Sequence, residues 1–261
     1  MNHSYGKMLT CAFVLVFLSA SAAWSHFGMV ILSDNMIMQN DERSIDIDLS
    51  FSHPFEMVGM ELVKPERFFV VTDGERQSLL DSLEKSKVMD EKAWNINFPV
   101  KRPGAYTFCM VPKPYWEPAE DCYIVHYTKT VAAAFGMDEG WDAEIGLKTE
   151  IVPLTKPYAL YEGNLFQGIV KLNGEPVPYA EVEVEYYNRD GKYEAPSDYM
   201  VTQTLKADRN GVFSYAVPGS GWWGFAALNT SDETKMHDGE EKNIELGAVM
   251  WVKFEKWQEK K

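Results

Sequence analysis

The sequence predicts an all-β fold made of two antiparallel β-sandwich domains that follow a cleaved signal peptide. Three observations lead to this prediction. Apolar and polar residues alternate with period two in many short runs, turn pairs containing Gly or Pro separate those runs, and only residues 78–91 have a pattern that could form a helix. Strands with so little helix between them favour antiparallel sandwiches over an α/β arrangement.

Residues 1–25 are typical of a signal peptide, with Lys7 as a positive n-region and an apolar run over residues 9–20. This run is shorter than the ~20 residues of a membrane-spanning helix, so we do not expect the mature protein to be transmembrane. The small residues Ala23 and Ser25 predict a cut after Ser25, with a cut after Ala23 as the alternative. The expected location is the periplasm.

The chain has a formal net charge of −14, and loss of Lys7 with the signal peptide makes it one unit more negative. Nucleic acids and anionic lipid surfaces are poor partners for such a protein, because like charges repel. The apolar and aromatic content is ordinary, so the mature chain is long enough to bury one large core or two smaller ones.

The first domain is predicted over residues 26–152. Its clearest strand is 44–52, where Ile45, Ile47, Leu49 and Phe51 alternate with polar residues. Turn chemistry such as Asp73-Gly74, directly after the predicted strand 67–72, separates the strands of this domain. The other predicted strands are 67–72, 94–100, 105–111 and 123–134.

The second domain is predicted over residues 158–261, after a short extended linker bounded by Pro153 and Pro157. Asn173-Gly174 is a hairpin turn signal between two of its strands. The stretch 232–241, which contains His237, is expected to be an acidic loop between the last two strands. The predicted strands are 165–172, 180–187, 212–217, 222–228 and 248–254.

Two cysteines, Cys109 and Cys122, remain after signal cleavage and flank a loop with three prolines. In an oxidising compartment this arrangement predicts a disulfide across the base of a hairpin. A thiolate metal site is the alternative, although a single pair lacks the second pair that makes zinc sites specific.

Several motifs carry a resemblance to known families. The stretch 168–184 with 206–213 resembles the carboxypeptidase-regulatory or transthyretin-like β-sandwich. The whole mature chain resembles the DUF4198 family of exported proteins, through His26-Phe-Gly-Met, His53-Pro-Phe-Glu, His126-Tyr-Thr-Lys, Gly221-Trp-Trp-Gly-Phe and Gly247-Ala-Val-Met-Trp-Val. That resemblance implies a periplasmic component linked to nickel or cobalt uptake, with inner-membrane metal transporter components as partners.

The histidines are the candidate metal ligands: His26, His53, His126 and His237. After a cut at Ser25, His26 would offer a metal both its free amine and its ring nitrogen, and His53 or His126 would add a third nitrogen. Nitrogen ligation of this kind suits Ni(II) or Cu(II). Each ring could instead be a packed, hydrogen-bonded histidine, and the segment around His237 could either be a solvated loop or reach across to the first domain.

We therefore expect a periplasmic protein that binds Ni(II) or Co(II), with Cu possible, and that serves or regulates an inner-membrane uptake system. The alternative from another class is a non-metal adhesion or scaffold module that binds a protein or glycan. Enzyme function is not expected, because the standard hydrolase, metalloprotease and nucleotide-binding motifs are missing. The one enzymatic alternative is an oxygen-activating copper site at His26.

Overall fold

A computed structural model describes residues 25–260 of the protein. The predicted signal peptide, apart from Ser25, lies outside these residues. The all-β prediction is confirmed, because the described chain consists of strands and two 3-10 turns, Leu80–Ser82 and Asp198–Met200, and has no α-helix. Nor does this part of the chain contain a helix with the length and hydropathy to span a membrane.

The strands of the first half are β1 (Phe27–Leu32), β2 (Met36–Ile37), β3 (Ser44–His53), β4 (Val58–Met60), β5 (Arg67–Thr72), β6 (Glu75–Ser78), β7 (Glu84–Val88), β8 (Glu91–Pro99), β9 (Gly104–Val111), β10 (Tyr115–Glu117) and β11 (Cys122–Ala134). Those of the second half are β12 (Thr149–Pro153), β13 (Leu160–Tyr161), β14 (Leu165–Leu172), β15 (Glu175–Pro176), β16 (Glu181–Tyr186), β17 (Gln203–Lys206), β18 (Val212–Ala216), β19 (Gly221–His237) and β20 (Glu240–Glu255).

These strands form three sheets that build two sandwiches around one shared sheet. The central sheet has the order β17-β16-β19-β20-β11-β9-β5-β6, with β2, β10 and β13 attached to it. A second sheet, β1-β3-β8-β7 with β4, encloses a core with the central sheet that includes Phe27, Ile47 and Phe108. The third sheet, β12, β14, β15 and β18, encloses another core that includes Phe166, Phe213 and Phe225. Burial of these two apolar cores is the main force that holds the layers together.

The central sheet is continuous across the predicted domain boundary at residues 152–158. It crosses from one half to the other where β11 pairs with β20 in parallel, from Tyr123 opposite Ile244 to Thr130 opposite Trp251. Most of the remaining pairs are antiparallel, as the period-two pattern predicts. The last strand of the chain therefore lies beside the strand that carries His126.

The helix considered for residues 78–91 is wrong, because β7 and β8 pair there as a hairpin. Its two turn residues, Met89 and Asp90, both have positive φ, 52° and 64°. That backbone matches the twist of a two-residue β-hairpin, and a helix cannot accommodate it. The expected acidic loop at 232–241 is wrong as well. These residues continue β19 and β20 as a two-stranded ribbon, with the turn at Asp238 and Gly239.

The predicted disulfide is also wrong, because Cys109 and Cys122 are free thiols. The strand register gives the reason: β9 and β11 pair with Thr107 opposite Val131. Continued along the two strands, this register brings Cys109 level with Lys129, far along β11 from Cys122. At ~3.3 Å per residue, seven residues of strand separate the two thiols far beyond disulfide distance.

A buried ion pair fixes the loop after β11 to the sheet. Lys129 and Glu150 are 1% and 2% exposed, and the Lys129 Nζ donates to Glu150 at 2.6 Å. The same carboxylate accepts the backbone N–H groups of Ile145 at 3.1 Å and Gly146 at 2.7 Å. With this many donors, the buried charge of Glu150 is compensated.

Candidate metal centre

Three of the four candidate histidines meet where β1 begins and β3 ends. The ring centroids of His26 and His53 lie 4.7 Å apart. Phe51 stacks on His26 at 5.6 Å and meets the ring of His126 edge-on at 5.7 Å. The structure therefore brings His26 beside His53 and, across Phe51, close to His126, and we call these three residues the histidine cluster.

Glu117 sets the orientation of the His26 ring. The Nε2 of His26 lies 2.9 Å from Glu117 Oε2, and Glu117 Oε1 is held by the backbone N–H of Ala119 at 2.9 Å. When Nε2–H donates to this carboxylate, Nδ1 keeps its lone pair in the neutral ring. Burial, followed by the neighbouring rings of His53 and His126, lowers the pKa of His26 to about 4. The ring is therefore neutral and able to ligate at neutral pH.

His53 faces the peptide bond that the predicted signal cleavage would break. Its Nδ1 lies 2.9 Å from the carbonyl oxygen of Ser25. The nitrogen of His26 is bonded to that same carbonyl carbon, so cleavage would leave a free amine beside the His53 ring. Burial also lowers the pKa of His53, which favours its neutral form.

His126 lies in a slot between two glycines and is 1% exposed. A Cβ at Gly247 would meet the His126 Cδ2 at 2.4 Å, and a Cβ at Gly28 would meet its Cβ at 3.0 Å. The Nδ1 of His126 accepts the backbone N–H of Gly28 at 3.3 Å, and Trp251 Nε1 donates to the Gly28 carbonyl at 2.8 Å. These contacts fasten the start of β1, and thus His26, to the central sheet.

The Nε2 of His126 is buried and has no hydrogen-bond partner, with Glu245 Oε1 3.6 Å away. Because Nδ1 already accepts from Gly28, the neutral ring carries its proton on Nε2. A metal on Nε2 would turn Nδ1 into a donor facing the Gly28 N–H. The hydrogen bonds therefore favour a role for His126 in positioning β1 and disfavour a role as a metal ligand.

Acidic residues surround the histidine cluster. Glu120 Oε1 lies 4.0 Å from His26 Nδ1, and the Ser25 hydroxyl donates to Glu183. Burial, followed by the negative charges of Glu245 and Glu117, raises the pKa of Glu120. Burial, together with the negative charges of Glu245, Glu181 and Glu120, raises the pKa of Glu183 to about 7. Carboxylates that disfavour one another's charge make a site that favours a cation.

His237 lies on the other side of strand β10 from the cluster. Its ring stacks on Trp116 with centroids 3.7 Å apart and planes 14° apart. Its Nδ1 is 3.0 Å from the hydroxyl of Tyr123. The ribbon that carries His237 thus reaches the first half of the chain, and His237 contacts aromatic residues of β10 and β11.

Sequence reasoning missed Glu117, Glu120 and Glu245, because single carboxylates cannot be ranked among 39 acidic residues. One signal was available for Glu117. It ends the short aromatic run Tyr115-Trp116 between prolines, and alternate residues of a strand face opposite sides. A carboxylate on the same face as Tyr115 could have been expected to point toward the site.

Within residues 25–260, no three or more His, Cys, Asp and Glu side chains are already arranged to hold a metal ion. In the chain that contains Ser25, the nitrogen of His26 is part of a peptide bond. It therefore cannot act as an amine ligand there. With the amine free, the available donors are that amine, Nδ1 of His26 and the ring of His53, and Glu120 faces the same Nδ1. Nitrogen donors with one carboxylate fit a late divalent transition metal.

A family model described as "Domain of unknown function (DUF4198)" matches residues 23–231. No curated protein matches the chain. Among solved structures, it is similar to a 1.5-MDa bacterial ice-binding adhesin studied for host cell surface retention, at 10% identity over 88% of this chain and 65% of that chain, with a TM-score of 0.26. It is also similar to the D0-D1 domain of intimin, at 10% identity over 88% of this chain and 100% of that chain, with a TM-score of 0.23. This chain thus spans 65% of the adhesin chain's length.

Proposed function

This chain belongs to the DUF4198 family, and from the geometry of its histidine cluster we propose that it binds Ni(II) or Co(II) in the periplasm and serves or regulates an inner-membrane metal uptake system. The observation that carries the proposal is the contact between His53 Nδ1 and the Ser25 carbonyl at 2.9 Å. A cut after Ser25 would free the nitrogen of His26 beside this ring nitrogen of His53.

The amine and Nδ1 of His26 would bind the metal as a chelate, and His53 would supply a third nitrogen. Glu117 supports this chelate, because its hydrogen bond to Nε2 leaves Nδ1 as the ligating atom. Glu120 and Glu183 would offset the charge of a divalent ion. A site built from neutral rings and carboxylates also needs little proton release from histidine when the metal binds.

The decisive experiment compares two proteins that differ by one residue. One begins at His26, produced by export or by a protease that leaves no extra residue, and the other retains Ser25. Each is titrated with Ni(II), Co(II) and Cu(II) while d–d absorption and binding heat are recorded. We expect the protein that begins at His26 to bind one equivalent at least tenfold more tightly than the protein that retains Ser25.

His53→Ala in the chain that begins at His26 should weaken binding to a similar degree. Preference for Cu(II) beyond the general stability order of divalent metals would redirect the assignment to copper handling. If neither protein binds any of the three metals, the metal proposal is refuted and the adhesion or scaffold alternative takes its place. The amino-terminal mass of exported protein identifies the cut. A start at Trp24 would place His26 third, which is a different Cu(II) and Ni(II) chelate.

A further inference from the structure

The ribbon formed by residues 232–243 lies against the hairpin of β10 and β11, which carries Glu117 and Glu120. Beyond a register shift between Thr230 and Thr234, the two strands pair from Thr234 opposite Asn243 to His237 opposite Glu240. The family match ends at residue 231, where this ribbon starts. The ribbon is mostly exposed and contributes little to either core, so stabilising a core does not account for its position.

Strand β10 separates the ribbon from the histidine cluster. Trp116 points to one side and stacks on His237 at 3.7 Å. Its neighbours Tyr115 and Glu117 point to the other side, where Tyr115 lies 6.4 Å from the His26 ring and Glu117 binds its Nε2. Trp116 and Glu117 are consecutive residues of β10, so a shift of the backbone at Trp116 moves Glu117 as well.

Three further contacts fasten the ribbon to the hairpin of β10 and β11. The Tyr123 hydroxyl lies 3.0 Å from His237 Nδ1 and 3.4 Å from the carbonyl of Met236. Lys242 pairs with Asp121 at 2.9 Å, in the turn next to Glu120. With only three residues in β10, this strand has few backbone hydrogen bonds of its own. The ribbon supplies the support that so short a strand lacks.

We propose that His237 is a positioning residue of the metal site. It holds Trp116 in place by stacking, and through β10 it keeps the Glu117 carboxylate within hydrogen-bond distance of the His26 Nε2. This inference rests on the proposed metal function for its consequence, but the positioning itself is a property of the metal-free protein. It assigns His237 a role other than ligation, and it makes the ribbon part of the site.

The test uses the chain that begins at His26, with His237→Ala and His237→Phe as the two variants. Phenylalanine keeps a flat ring for the Trp116 stack and has no nitrogen, so it separates positioning from ligation. The matched control is Trp257→Ala, which removes a stack of similar geometry, Tyr161 with Trp257 at 3.9 Å and 9°, at the other end of the molecule.

The first measurement is the imidazole ¹⁵N NMR spectrum of His26 without metal. We expect the wild type, His237→Phe and Trp257→Ala to show the Nε2–H tautomer, and His237→Ala to show a mixture of tautomers. The same tautomer in His237→Ala as in the wild type overturns the inference, whatever the protein binds. Urea unfolding of each variant checks that the fold is intact.

The second measurement is the affinity for Ni(II) and the EPR spectrum of bound Cu(II). We expect His237→Ala to weaken Ni(II) binding about fivefold and to change the Cu(II) spectrum, while His237→Phe keeps most of the affinity. Equal loss in both variants would make His237 a ligand and would overturn the positioning role. If the wild type binds no metal, the proposed function is refuted. The positioning role of His237 is still tested, because the NMR measurement of the His26 tautomer needs no metal.

Discussion

The slot around His126 leads to a quantitative prediction for Gly247→Ala. A Cβ at this position would sit 2.4 Å from Cδ2 and 2.6 Å from Nε2 of His126. Carbon atoms in contact are normally ~3.5–4.0 Å apart, so ring and strand must separate by about 1 Å. β11 pairs with β9 on one side and β20 on the other, which leaves the ring little room to yield. Overpacking of this kind costs ~1–3 kcal/mol, and we expect about 3 kcal/mol here.

The assay is urea unfolding followed by tryptophan fluorescence. Gly219→Ala is the matched control, because a Cβ at Gly219 would meet no atom within 4 Å. The control should be neutral or stabilising by up to ~1 kcal/mol, since alanine restricts the unfolded chain. In the background of His126→Ala, which empties the slot, the cost of Gly247→Ala should fall below about 1 kcal/mol. Equal stabilities of Gly247→Ala and Gly219→Ala would refute the close packing of Gly247 against His126. The same conclusion would follow if Gly247→Ala cost as much in the His126→Ala background as in the wild type.

Three other predictions concern buried charge and the thiols. Lys129→Met leaves Glu150 buried without its cation and should lower the free energy of unfolding by ~3–5 kcal/mol in urea unfolding; a loss below about 1 kcal/mol contradicts the pairing. Burial raises the pKa of Glu185 to about 8, above its value of ~4.3 in the unfolded chain. The stability contributed by its protonated form is therefore complete below pH ~4.3 and is lost as the pH rises through about 8. Unfolding midpoints measured across this range should fall less steeply in Glu185→Gln than in the wild type, and parallel profiles would contradict the shift. Burial raises the pKa of Cys109 and of Cys122 to about 12, so both thiols should react slowly with a thiol reagent at pH 8 and rapidly in urea; a non-reducing mass lacking two hydrogens would show a disulfide instead.

Two strands with an apolar face could be predicted from the sequence to the residue. β5 (Arg67–Thr72) and β14 (Leu165–Leu172) have the predicted bounds, because each buries alternate residues in a core. The ribbon could not be predicted in this way, since it covers no core and its residues are polar on both faces. Asp238-Gly239 was the available signal, because this pair is typical of a two-residue hairpin turn.

The structure brings the three first-half histidines close together, but the tautomer and orientation of their rings depend on tertiary contacts. The tautomer of His26 depends on Glu117, and the orientation of His126 depends on Gly28 and Gly247. Those partners come from β1, β10 and β20, which lie far apart in the chain. Local spacing contains no information on such contacts. The disulfide prediction was wrong for the same reason, because the register of β9 against β11 places the cysteines apart.

The parallel pairing of β11 with β20 has a consequence for how the chain folds. Until β20 arrives, the edge of β11 from Tyr123 to Thr130 has no partner for its backbone, and Gly247 does not yet close the slot of His126. An unpaired strand edge attracts other strands and promotes aggregation. The chain therefore has an open strand edge until its carboxyl-terminal strand is in place, so completion of that strand protects the molecule from pairing with other chains.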